Sequence, residues 1–130
     1  YTLAHDDGRH REDWPEADIV LIGVSRSGKT PLSVYLGILG WKAANMPIVP
    51  EIPIPPELYE VDRSRVVGLH IDMGLSTTSS YTHPGRVEEE IRLARQVFRR
   101  GHFHVIDVTD KPVETSANEV IEHVGSPREP

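Results

Sequence analysis

Residues 19–40 read Ile-Val-Leu-Ile-Gly-Val-Ser-Arg-Ser-Gly-Lys-Thr-Pro-Leu-Ser-Val-Tyr-Leu-Gly-Ile-Leu-Gly. The first six, Ile19 to Val24, form a continuous apolar run rich in β-branched residues, the kind buried on both faces of a parallel sheet. Further on, Leu32, Tyr35, Leu36 and Leu39 recur at i, i+3, i+4 and i+7 and mark one helical face, with Gly40 standing where a C-terminal cap belongs. Pro31 falls in the first turn, where backbone N–H groups lack intrahelical partners anyway. Strand, loop and helix therefore follow in that order.

The connecting loop, Gly23-Val24-Ser25-Arg26-Ser27-Gly28-Lys29-Thr30, fits the phosphate-binding pattern Gly-x-x-x-x-Gly-Lys-Thr. A phosphate needs several backbone N–H groups converging on one anion, and a loop that curls so tightly needs glycine at its ends. Lys29 is placed to reach the terminal phosphates. The Thr30 hydroxyl is placed to ligate Mg2+, and the following helix points its positive end at the anion. Chance produces the four fixed positions in well under about one chain in a hundred of this length, and a strand before with a helix after is the context that confirms the motif. The eight residues are accordingly assigned to nucleotide binding, with a polar strand-to-helix turn as the plain alternative. Arg26 could clamp a transferring phosphate or simply be solvated.

Outward from this unit, Val66 to Ile71 and Phe103 to Val108 read as two further buried strands, each followed by polar residues and then helical periodicity, the rhythm of βα units. The helix between them carries Val87, Ile91, Ala94 and Phe98 on one stripe. Glu88, Glu89 and Glu90 come early and Arg99 and Arg100 late, matching the helix dipole, and Gly101 ends it. A last helix has Thr109 or Asp110 as N-cap, Pro112 in its first turn, Val113, Ala117, Val120, Ile121 and Val124 facing inward, and Gly125 as terminator. Five prolines between Pro47 and Pro56 exclude a regular helix there and predict an extended loop over one face. The fold class is α/β, P-loop kinase-like, with a mostly parallel sheet flanked by helices. Residues 19–125 form this domain, 1–18 are the end of a preceding region or a linker, and 126–130 are a tail.

The 130 residues suffice for one such domain. Fourteen Lys and Arg against twenty Asp and Glu give a net charge of -6, so nothing draws the chain as a whole to nucleic acid or anionic lipid. The absence of cysteine excludes disulfides, thiol nucleophiles and thiolate metal sites. The run Ile19 to Ile22 is far shorter than the roughly 20 residues of a membrane span, and no signal-peptide pattern precedes it. No membrane association is expected, and the cytoplasm is the expected compartment. Because the sequence opens at Tyr1 and its first eighteen residues are mostly polar, it reads as an excerpt of a longer protein.

P-loop enzymes commonly hold their metal with an acidic residue at the end of a second apolar strand. Asp72 ends one such run and Asp107 lies near the end of another; either could serve, and either could be only a turn former or helix cap. We assign Asp72 to the metal together with Thr30, and Asp107 to the catalytic set together with Lys29. His5-Asp6-Asp7-Gly8 sets two carboxylates beside an imidazole, suited to activating a hydroxyl or holding Mg2+; on spacing alone a solvated turn is the better reading. His102 and His104 could share a strand face, but no third ligand is spaced to complete a zinc site, so ordinary surface histidines are expected.

Taken together, Tyr1-Thr2-Leu3-Ala4-His5-Asp6-Asp7-Gly8, Ala17 to Ser33, Lys42-Ala43-Ala44-Asn45-Met46-Pro47-Ile48-Val49-Pro50 and Val105-Ile106-Asp107-Val108-Thr109 resemble the regulatory protein family of pyruvate phosphate dikinase and phosphoenolpyruvate synthase, in its C-terminal P-loop domain. The resemblance runs from the first residues to about His123. It implies a bifunctional enzyme: a serine/threonine-protein kinase that moves phosphate from ADP to a threonine of the target enzyme, and a phosphorylase that removes it with inorganic phosphate, releasing pyrophosphate. By the same resemblance Gly23 to Thr30 carry ADP, and His5, Asp6 and Asp7 become a catalytic cluster in which a carboxylate accepts the threonine proton. Two departures are visible. The family's further N-terminal region is absent, and a longer, Arg-containing segment is expected where this sequence passes from Asp72 to Met73 and Gly74. A lid or target-binding element would then be lacking.

Ser27 to Leu32 and Pro50 to Pro55 lean toward the dikinase-directed branch. An ATP-dependent small-molecule kinase is the competing enzyme reading, but it needs an arginine-bearing lid, and the arginines of the 86–100 helix fall mostly on its polar face. A nucleotide-sensing module without activity is the third. Oligomeric state stays open, with a homodimer among the options.

Overall fold

The computed structural model describes residues 17–24, 27–71 and 84–125, with side chains of the last segment described from Glu88 onward. Ile19, Val20, Leu21 and Ile22 are wholly buried, each contributing about 1.5–3 kcal/mol through burial. They make β1 (Ile19–Gly23), and the turn after it leads into α1 (Lys29–Ile38). Then come β2 (Ala43–Pro47), the single-turn α2 (Glu57–Glu60), a 3-10 turn (Arg63–Arg65), β3 (Val66–His70), α3 (Pro84–Gly101), β4 (His104–Asp107) and α4 (Val113–Val124). The four strands among the described residues are all parallel, in the order β2-β1-β3-β4. This is the α/β architecture expected from the sequence.

Alternate residues of β1 serve opposite faces. Ile19 and Leu21 join Leu32 and Leu36 of α1 and Ala117 and Val120 of α4 on one side. Val20 and Ile22 join Ala94, Val97 and Phe98 of α3 on the other, where Ile48, Leu58 and Val61 of the proline-rich connection also pack. The expected loop over one face is therefore found, on the α3 face.

Gly68, in the middle of β3, allows α3 to come close. A Cβ on it would stand 2.6 Å from Phe98 Cε1 and 2.8 Å from Cδ1, well inside van der Waals contact. Only a residue without a side chain fits beneath that ring.

The structure departs from the sequence reading at several points. β2 was not expected: Ala-Ala-Asn-Met-Pro lacks β-branched residues, and its strand character comes from register pairing with β1, Ile19 with Ala43 through Gly23 with Pro47. β4 is an edge strand, not one buried on both faces; Ile106 is buried while Val105 is 41% exposed. Leu39 lies past the end of α1 and is half-exposed, although Gly40 does take the left-handed conformation of a terminator (φ 100). α3 ends at Gly101 as expected, but the left-handed turn after it is made at His102, with φ 55. Pro112 occupies the N-cap of α4 in place of Thr109 or Asp110, because Asp110 is used in a left-handed turn (φ 53). Finally, Ala17 and Asp18 already belong to the packed unit: the Asp18 carboxylate accepts the Lys42 N–H at 2.8 Å and its carbonyl accepts from Arg65.

Candidate functional site

In an open parallel sheet, ligands bind outside the carboxyl ends of the strands where consecutive crossovers leave to opposite faces. Here that point lies between β1 and β3. The chain leaves β1 into α1 on one face, and the segment after β3 leads to α3 on the other. Gly23 to Thr30 begins at this switch point, with His70 and Ile71 at the neighbouring end of β3.

Gly28 has φ 83, a left-handed conformation that costs other L-residues about 1–2 kcal/mol. That turn starts α1: the Leu32 N–H donates to the Gly28 carbonyl at 3.0 Å, and no side chain caps the helix. Within the loop the Val24 carbonyl accepts the Ser27 N–H at 3.3 Å and the Lys29 ammonium at 2.9 Å, so the buried lysine is folded back over the curl. The Ser27 hydroxyl is buried and has no hydrogen-bond partner among the described residues. A positive helix end, an ammonium turned over the loop and an unmatched buried hydroxyl are what an anion at this position would require.

Thr30 is exposed in the first turn of α1. Beneath it runs a polar chain that sequence reasoning did not find: Asn45 Nδ2 donates to Ser33 Oγ at 2.9 Å, and Ser33 Oγ donates to the Thr30 carbonyl at 3.0 Å. Asn45 and Ser33 are both wholly buried. The only signal in the sequence was an asparagine within an otherwise small and apolar run.

Of the other assigned residues, His5, Asp6, Asp7, Ser25, Arg26 and Asp72 lie outside the described residues, as does the passage through Met73 and Gly74. Asp72 follows two positions after His70, the last residue of β3, and β3 is the direct neighbour of β1. Asp107 ends β4, with β3 between it and the loop, and pairs in register with His70. At a strand spacing of about 4.8 Å, two strands put it roughly 10 Å to the side of β1. Its exposed carboxylate accepts the Thr109 N–H at 2.9 Å, and the Thr109 hydroxyl and N–H hold its pKa below the usual carboxylate value. This is the geometry of the turn former weighed as the alternative for Asp107. Among the described residues no three His, Cys, Asp or Glu side chains gather as a metal-holding group, and no helix is long and apolar enough to cross a membrane.

His102 lies in the left-handed turn before β4, and the His104 ring stacks on His123 of α4 with centroids 4.0 Å apart. Partial burial, then the neighbouring His104, lower the His123 pKa below 6.5. A histidine with a lowered folded pKa disfavours the folded state as pH falls from the unfolded value toward the folded one. The lowered Asp107 acts in the same direction at more acid pH, its contribution being lost as pH falls through its folded pKa. Thermal melts are therefore expected to show a falling midpoint between about pH 7 and pH 5, and His123→Gln to flatten that slope.

The sequence matches the profile of the family described as Kinase/pyrophosphorylase over residues 1–121. Similar proteins include one from Chloroflexus aurantiacus, 46% identical over 93% of this chain and 48% of its own length. Another, from Geobacter sulfurreducens, is 47% identical over 94% of this chain and 51% of its own, and a third, from Streptococcus sanguinis, is 36% identical over 95% and 51%. All three are provisionally named pyruvate, phosphate dikinase regulatory protein. The chain spans about half the length of these curated relatives. With the match covering nearly all of its residues, this chain belongs to the Kinase/pyrophosphorylase family.

Proposed function

We propose that this chain supplies the nucleotide-binding part of a phosphotransferase that uses ADP to phosphorylate a threonine of pyruvate phosphate dikinase. The same site would reverse the modification with inorganic phosphate. In the forward direction the threonine hydroxyl oxygen bonds to the terminal phosphorus of ADP, the bond to the bridging oxygen breaks, and AMP leaves. In the return direction inorganic phosphate attacks the phosphothreonine phosphorus, giving pyrophosphate and free threonine.

The observation that carries this reading is the loop at the β1–β3 switch point, where Gly28 opens α1 and Lys29 lies over the curl. Backbone N–H groups of the loop and of the first turn would hold the diphosphate, and the Lys29 ammonium would neutralise its terminal oxygens. The Thr30 hydroxyl and Asp72 would hold Mg2+, which when bound draws charge from the transferring phosphoryl oxygens. Of the two carboxylates weighed for the metal, Asp72 is favoured because it follows the strand beside β1, whereas Asp107 stands a strand further off and is engaged with Thr109. His5, Asp6 and Asp7 are proposed to take the threonine proton, on the strength of the resemblance that singled them out. The relatives' names support the dikinase over phosphoenolpyruvate synthase as target.

The test uses the protein at the full length of its relatives, incubated with terminally labelled ADP and the dikinase. Label recovered as phosphothreonine, then released as pyrophosphate on addition of inorganic phosphate, is the expected result. Absence of phosphothreonine overturns the proposal.

A further inference from the structure

Asn45 places an amide in the middle of β2, wholly buried and in register with Leu21. It lies on the same face as Ala43, the face covered by α1. A buried amide is unfavourable there unless its hydrogen bonds are met, and this one donates to Ser33. A serine hydroxyl has one proton. With that proton given to the Thr30 carbonyl, its lone pair is left to accept from Asn45, so the relay runs in a single direction from sheet to helix.

This relay is not required to keep the elements together. β2 is already joined to β1 along its length, the Ile48 N–H donates to the Gly23 carbonyl at 2.8 Å, and α1 is seated by Leu32 and Leu36. Apolar seating is non-directional and leaves a helix free to rotate by small angles about its axis, whereas a hydrogen bond has a preferred direction. The relay ends on the backbone of the one residue in this turn whose hydroxyl is suited to a metal.

We propose that Asn45, acting through Ser33, is a positioning residue that fixes the rotation of the first turn of α1 and so aims the Thr30 hydroxyl at a divalent cation on a bound nucleoside diphosphate. This inference rests on the nucleotide reading of the loop. It adds a specific consequence: the relay contributes to ADP binding only when the cation is present.

The experiment is calorimetric titration of ADP into the protein at the full length of its relatives with Mg2+ and, separately, with chelator, for Asn45→Leu, Ser33→Ala and the double variant, with melting curves to confirm folding. The Mg2+-dependent affinity is expected to fall about tenfold, the loss of about one well-placed hydrogen bond. Affinity in chelator should be unchanged, and the double variant should bind no worse than Ser33→Ala alone, because both substitutions break one path. If Asn45→Leu fails to fold, Ser33→Ala alone decides the matter. Equal losses with and without Mg2+, or no loss in either, overturn the positioning role while leaving the nucleotide site standing. An unsubstituted protein of that full length that binds no ADP under either condition overturns both.

Discussion

Lys29→Ala is expected to weaken ADP binding in the presence of Mg2+ by about ten- to a hundredfold without unfolding the protein. The ammonium is buried and sits 2.9 Å from the Val24 carbonyl, over the loop into which the phosphates would fit. Charge-assisted hydrogen bonds contribute about 1.5–3 kcal/mol each, and each 1.4 kcal/mol corresponds to about a factor of ten, so loss of one such bond from the ammonium accounts for about a ten- to hundredfold effect. The fold should tolerate the change because Lys29 opens α1, where alanine is a good helix former, and α1 is held to the sheet by Leu32 and Leu36. Calorimetry gives the affinity and a melting curve the folding control. An unchanged affinity in a folded variant would remove the phosphate-binding assignment of the loop.

Gly68→Val should be the most destabilising single change on the α3 face. The new Cβ alone would lie 2.6 Å from one Phe98 ring atom and 2.9 Å from another, and Phe98 is itself packed against the sheet with only 6% of its surface exposed. The ring cannot step aside into solvent without giving up that burial. Overpacking of this kind costs about 1–3 kcal/mol for a methyl group, and the two further methyl groups of valine place the effect at or above the upper end. Chemical denaturation measures it. Combining the substitution with Phe98→Ala should cost much less than the sum of the two single changes, because the clash is between these two groups. Additive losses would show that the close approach of α3 to β3 is not the cause.

The sequence made the core of this architecture legible where a single element carried its own signal. Ile19 to Ile22 announce a strand buried on both faces, and the turn from that strand into a helix is contiguous, so its placement needed no tertiary information. Where structure depends on a neighbour, the sequence was silent. Ala43 to Pro47 becomes a strand only because β1 offers it a parallel edge, and the Asn45–Ser33–Thr30 chain joins residues from two elements. Asp107 was identifiable as the end of a strand, but its distance from the loop follows from the sheet order, which no local pattern encodes. The histidine and two carboxylates near the start and the carboxylate after Ile71 were singled out by resemblance and strand position, not by any spacing that would have fixed their geometry.

The alternation along β1 has a consequence for how this protein can change over time. Val20 and Ile22 belong to one packing layer and Ile19 and Leu21 to the other, with the β1 backbone between them. Substitutions in separate layers that share no neighbours act nearly additively. Val24 ties the Gly23–Thr30 loop to the α3 layer, so it is the α3 layer away from Val24 that can accumulate repacking changes with little epistatic cost to the layer that seats α1. A lineage could remodel the α3 surface away from Val24 while the α1 side keeps its packing.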